Sequence, residues 1–157
     1  MIDENEVAPL SGVIGYVPGV YDLFHVGHLN MLRQARERCD VLVAGVVSDE
    51  MCELGKSVTP TVPLDERIDI VGAIGIVDRV YVEHSLDKRD AWKDVKFDRL
   101  FKGDDWKGTP KGAKLEAEMA EVGVEVVYFP YTQQTSSTAL RRALGEPGAK
   151  SPQEQAS

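Results

Sequence analysis

Three things are scarce in this sequence, and each scarcity excludes something. The 157 residues contain only two cysteines and three histidines. Cys39 and Cys52 form no CxxC or mixed Cys/His spacing, so the sequence encodes no zinc module, and both read as free thiols of a reducing compartment. No apolar run approaches the roughly 18 residues that a membrane span needs. Positive charge is in deficit: 18 Lys and Arg stand against 26 Asp and Glu, for a formal net charge of −8. A general nucleic-acid surface needs a basic face to neutralise phosphates, and this balance argues against one. A small anionic substrate stays compatible, because a local cluster of Lys and Arg suffices for it. The N-terminus MIDENEVAPL is acidic and lacks the basic region of a secretory signal, so the cytoplasm is the expected location.

The length fits one domain that buries about 70% of its unfolded surface. Residues 1–11 read as a flexible leader. Residues 145–157, GEPGAKSPQEQAS, hold no apolar side chain larger than Ala and read as a disordered tail. That leaves 12–144 as the folded domain. Within it short apolar runs alternate with amphipathic stretches. Strands are expected at 13–17, 40–47, 78–82, 97–103 and 124–130. Helices are expected at 28–39, 63–77, 87–94, 113–123 and 136–144, with Gly123 ending one and Ser136 or Ser137 capping the last. The alternation predicts an α/β, doubly wound, Rossmann-like parallel sheet of about five strands with helices on both faces. Ligands of such sheets bind beyond the carboxyl ends of the strands.

Four segments fall there. The first, PGVYDLFHVGH, links the first strand to the first helix and holds two of the three histidines. Gly19 admits close backbone approach, and Gly27 clears space between His25 and His28. His28 falls in the first helical turn, where free amides favour an anion. Two imidazoles there can donate to phosphate oxygens and stabilise charge building on phosphorus. A zinc site would need a third nearby ligand, which the spacing does not offer. The second segment, GKSVTPTVPLDER, reads as a loop with Lys56 as a mobile cation for a triphosphate, followed by Arg67 on a helix. The third, FKGDDWKG, ends a strand and brings Gly103, Asp104 and Asp105 to the ligand side. The fourth, PYTQQTSSTALRR, starts the last helix with Thr135, Ser136, Ser137 and Thr138, whose hydroxyls and amides suit phosphate.

The HxGH segment resembles the signature of the nucleotidyltransferase superfamily. Class I aminoacyl-tRNA synthetases carry the same signature but need far longer chains. GDDW, in this position, closely resembles the glycerol-3-phosphate cytidylyltransferases, and residues 130–138 resemble the cytidylyltransferase signature RTEGISTT. The resemblance runs from about residue 12 to 144, with the motifs in family order.

It implies transfer of CMP from CTP to a small phosphorylated polyol, glycerol 3-phosphate first, with release of pyrophosphate. Mg²⁺ would arrive bound mainly through the triphosphate. His25, His28 and Lys56 would be the catalytic residues. Gly19, Val20, Tyr21, Asp22, Gly27, Gly103, Asp104, Asp105, Thr132, Thr135, Ser136, Ser137 and Thr138 would bind nucleotide, with Asp105 accepting from the cytosine amine. Arg67 and Asp22 would meet the acceptor, and no residue cluster would hold a metal by itself. Family members of this size are usually homodimers, and CDP-glycerol as product would point to teichoic acid or a related surface polymer.

Three positions depart from the family pattern: Tyr131 replaces the signature arginine, Val20 a threonine, and Gly75 an arginine that contacts the acceptor. Arg141 or Arg142 offers a replacement charge for the first. The alternatives are adenylyl transfer from ATP to a sugar phosphate such as heptose 1-phosphate, CTP with another alcohol phosphate, or a non-catalytic nucleotide-binding regulator.

Overall fold

A computed structural model describes residues 12–130 and 136–145. Five parallel strands, β1 (Ile14–Gly19), β2 (Val41–Val47), β3 (Arg79–Glu83), β4 (Arg99–Gly103) and β5 (Glu125–Phe129), form one sheet in the order β3-β2-β1-β4-β5. Six helices connect or follow them: α1 (Val26–Arg36), α2 (Asp49–Lys56), α3 (Leu64–Gly72), α4 (Lys88–Val95), α5 (Pro110–Glu121) and α6 (Ser137–Ala143). The expected doubly wound sheet is what forms. The chain runs outward from β1 through β2 to β3, then returns to β1's other side with β4. That reversal opens a crevice at the carboxyl ends of β1 and β4. The leader and nearly all of the tail expected from the sequence lie outside the described residues.

Side-chain alternation along the strands builds a core on each face. Val17, Leu42, Ala44 and Phe101 pack on one face with Leu32 and Ala35 of α1 and Val71 of α3. Tyr16, Val43 and Leu100 pack on the other with Ala91 of α4 and Leu115 and Met119 of α5. On that second face the Tyr16 phenol crosses β2 above Gly45 and donates to Glu83 Oε2 at 2.7 Å. A Cβ on Gly45 would lie 2.0 Å from the Tyr16 hydroxyl, so the crossing requires glycine there.

Some of the excess acid sits at the opposite end of the sheet from the crevice. Asp40, Asp98 and Asp78 accept from the amides of Val13, Ile14 and Leu42 at 2.7, 2.9 and 2.8 Å, where those strands begin. The net charge therefore says little about the potential in the crevice.

Several boundaries differ from the sequence reading. Helix α1 starts at Val26 with His25 as its N-cap, two residues earlier than expected. Residues 49–56, expected to be partly loop, form α2, capped by Ser48 immediately after β2 and ended by Ser57 in the left-handed region at φ 54°. Helix α3 stops at Gly72 rather than continuing to 77. Gly123, at φ 75°, does follow α5 as expected.

Candidate active site

The loop from β1 to α1 carries backbone strain at two residues. Tyr21 and Leu23 flank Asp22, and both sit in the left-handed region at φ 57° and 51°. That conformation costs a non-glycine residue about 1–2 kcal/mol. Three sets of bonds hold it. The Tyr21 hydroxyl donates back to the Val17 carbonyl at 2.8 Å. The Asp22 carboxylate, 1% exposed, accepts from the amides of Thr61 and Val62, each at 2.9 Å, and from Arg141 at 3.2 Å. Burial alone would raise the Asp22 carboxyl, but the two amides and Arg141 outweigh it and hold it below the usual range. The Asp22 carbonyl accepts from the Ser137 hydroxyl at 2.5 Å. Asp22 thus fastens the segment before α3 and the start of α6 onto the first loop.

His25 and His28 complete that loop. His25 Nδ1 accepts from the Gly27 amide at 3.0 Å, and His28 Nδ1 accepts from the His25 amide at 3.2 Å. An accepting Nδ1 carries no proton, so each neutral ring is the Nε2–H tautomer. His25 Nε2 lies 3.5 Å from Ser137 Oγ, whose own proton is given to Asp22. Burial, reinforced by His25, pushes His28 down to about 3, although Asp22 opposes the shift. Burial lowers His25 as well. Both rings are therefore neutral donors at physiological pH.

These elements enclose a cleft of about 290 Å³ at the β1/β4 switch point. Of the residues predicted from sequence, Gly19, Val20, Tyr21, Asp22, His25, Gly27, His28, Lys56, Gly103, Asp105, Ser136, Ser137 and Thr138 line it together. Ser136 is the α6 N-cap, accepting from the Ala139 amide at 3.0 Å. Thr132 and Thr135 lie outside the described residues, as does Tyr131.

Four expectations need correction. Lys56 is not on a loop: it closes the last turn of α2 and faces the cleft from there. Desolvation by the cleft, with Lys111, Lys88 and Arg141 acting in the same sense, lowers its ammonium below the usual lysine range. Arg67 does not line the cleft. Its side chain is 0% exposed and donates to the carbonyls of Val62, Val20 and Val47 at 2.9, 2.7 and 2.8 Å and to Asp49. It ties the ends of β1 and β2 to α3 and leaves no face for an acceptor. The Asp22 carboxylate is likewise committed to protein partners, so it positions the loop rather than contacting an acceptor. Asp104 is exposed and opens the 3₁₀ turn Asp104–Trp106, while only its neighbour Asp105 reaches the cleft.

Sequence reasoning missed Lys102, Trp106, Met31 and Cys52, all of which line the cleft. One signal pointed to Lys102: it is a lysine at the carboxyl end of a strand, directly before the Gly103-Asp104-Asp105 segment. Cys52 and Cys39 are both free thiols.

Arg141, suggested from sequence as a replacement charge, does line the cleft, anchored on Asp22. Among the described residues no group of three or more His, Cys, Asp and Glu is placed to hold a metal ion. No described helix is long and apolar enough to cross a membrane.

Fold and site together define a doubly wound α/β protein whose switch-point cleft joins two neutral histidines to lysine and arginine. Residues 16–143 match the family Cytidylyltransferase-like, and the chain belongs to that family, within the nucleotidyltransferases. It is 33% identical to the FAD synthase of Thermococcus kodakarensis over 82% of this chain and 87% of that protein. It is 36% identical to the ethanolamine-phosphate cytidylyltransferase of Arabidopsis thaliana over 80% of this chain. It is 32% identical to the bifunctional protein HldE of Hyphomonas neptunium over 89% of this chain. The chain spans only 30% and 29% of the length of those last two relatives. The lipopolysaccharide core biosynthesis protein of Thermoplasma volcanium shares the fold, with a TM-score of 0.67 at 22% identity, over 80% of this chain and all of that one.

Proposed function

We propose that the protein transfers CMP from Mg²⁺-CTP to a small phosphorylated polyol, glycerol 3-phosphate first among them, forming CDP-glycerol and pyrophosphate. The observation that carries this reading is the placement of Asp105 in one cleft with His25, His28 and Lys56. A carboxylate that lines the cleft from the β4 side can accept from the exocyclic amine of cytosine. The histidines face the same space from the β1 side.

In this reading an acceptor phosphate oxygen attacks the α-phosphorus. The new O–P bond forms as the bond to the β-phosphate oxygen breaks, and the electron pair leaves with pyrophosphate. No covalent enzyme intermediate is needed, and catalysis is positioning plus electrostatic stabilisation. The Nε2–H groups of His25 and His28 donate to phosphate oxygens as charge builds. Lys56 and Arg141 neutralise the departing pyrophosphate, Arg141 in place of the arginine that Tyr131 replaces. The triphosphate brings the Mg²⁺. A homodimer belongs to the same proposal, and light scattering on the purified chain checks it.

The test is pyrophosphate release from CTP or ATP, each paired with glycerol 3-phosphate, ribitol 5-phosphate and heptose 1-phosphate. Release with CTP and glycerol 3-phosphate is the expected result. Release with ATP alone moves the donor and overturns the role given to Asp105. Tight CTP binding without release from any pair identifies a nucleotide-binding regulator instead.

A further inference from the structure

One cation of the cleft has no task in that scheme. Lys102 is the next-to-last residue of β4. Phe101 points to the face covered by α1 and α3, where it stacks on Phe129. Leu100 points to the face covered by α4 and α5, and alternation sends Lys102 after it. Its ammonium therefore enters the cleft from the side of the sheet opposite the α1 helix that carries His25 and His28. There it lies 3.9 Å from the centroid of the Trp106 ring, which also lines the cleft. Lys111 of α5 approaches the same ring at 5.8 Å.

Arg67, Lys88 and Arg141 each pair with a carboxylate, of Asp49, Glu83 and Asp22 respectively. Among the described residues no carboxylate forms an ion pair with Lys102. Glu83 of β3 and Asp105 of the 3₁₀ turn attract it at longer range, while Lys88 of α4 and Lys56 of α2 repel it. Desolvation dominates and, with that repulsion, pushes the ammonium down to about 7. An anion arriving beside Lys102 meets an aromatic platform and a ready donor, and it relieves like-charge repulsion.

We propose that Lys102, seated on Trp106, binds the phosphate of the acceptor, across the sheet edge from the residues that hold the nucleotide's phosphates. This rests on the nucleotidyltransfer reading above. In-line displacement places attacking and leaving oxygens on opposite sides of phosphorus. Two anions must then enter from different directions. Lys102 and the histidine pair approach from the two faces of the sheet.

The test is calorimetric binding to the full chain and to Lys102→Met and Lys102→Arg. The probes are Mg²⁺ with an α,β-methylene analogue of CTP or ATP, then glycerol 3-phosphate or inorganic phosphate added to the nucleotide-saturated protein. Lys102→Met is expected to keep nucleotide affinity within about twofold and to weaken phosphate binding at least tenfold. Lys102→Arg is expected to restore it to within about threefold.

The parent supplies a second readout that needs no variant. Its affinity for glycerol 3-phosphate falls as pH rises above 7, because the proton on Lys102 is lost, and Lys102→Arg flattens that dependence. Four results overturn the proposal while leaving nucleotide binding intact: no binding of either phosphate probe by the parent, equal binding by Lys102→Met, an affinity independent of pH, or a nucleotide affinity that falls in step with the phosphate affinity. Failure of the parent to bind either nucleotide analogue overturns the nucleotidyltransfer reading itself, and this proposal with it.

Discussion

His25 and His28 cap the same helix through each other's turn: His28 Nδ1 accepts from the His25 amide at 3.2 Å, while His25 Nδ1 accepts from Gly27 at 3.0 Å. One set of bonds thus fixes the backbone of the loop, the tautomer of both rings and the atom each can offer to a ligand. The HxGH spacing is a helix cap and a donor pair at once.

Replacing His28 by Ala therefore has two separable effects. The donor is lost, so turnover in the pyrophosphate assay is expected to fall by 10²–10³, the usual cost of one preorganised donor. The cap is also lost, which costs about 1 kcal/mol and lowers the melting temperature by a few degrees. A variant that melts lower but turns over within a few-fold of the parent would restrict His28 to capping.

The neutrality of His28 has a signature in stability. An unfolded histidine titrates near 6.5, whereas folded His28 titrates at about 3. Between those values the unfolded chain binds the extra proton, so stability rises with pH. This contribution is complete above about pH 6.5 and is lost as pH falls toward 3. Melting curves from pH 4 to 8 are expected to show that loss, and His28→Ala is expected to lose less over the same window.

Arg67→Lys separates a positioning residue from an acceptor contact. A single ammonium cannot reach the carbonyls of Val62, Val20 and Val47 together with Asp49, so buried acceptors go unpaired. The expected cost is about 2–4 kcal/mol in urea unfolding, with the melting temperature lowered even without ligand. Unchanged stability with a raised acceptor KM would return Arg67 to the acceptor site.

Gly45→Ala tests the Tyr16 crossing. The new Cβ would lie 2.0 Å from the Tyr16 hydroxyl. The Tyr16 ring cannot swing aside, because it stacks on Phe97 with centroids 4.4 Å apart. A destabilisation of about 1–3 kcal/mol is expected by chemical denaturation. Unaltered stability would mean that the bond to Glu83 does not order the second core.

The sequence by itself determined the class of fold and the address of the cleft. Buried parallel strands must read as apolar runs, helices must alternate with them, and the motif segments must then follow strand ends. Those are local and periodic constraints, visible in VIGYV, DVLVAGVV and the HxGH spacing. Helix α2 escaped because its closing Gly55 and Lys56 read as part of the Pro- and Thr-rich segment that follows, and its cap at Ser48 merges into the strand before it.

Only the tertiary structure decided which charges are available to a ligand. Asp22, Arg67 and Lys102 look alike in sequence as charged residues near motifs. Folding surrounds Arg67 with three carbonyls and a carboxylate, and gives Asp22 two amides and a guanidinium. It leaves Lys102 facing an aromatic ring and like charges. Those partners lie up to 119 positions away along the chain, as for Asp22 and Arg141. Electrostatic energy depends on distance and solvent exclusion in space, and neither is written in the local order of residues.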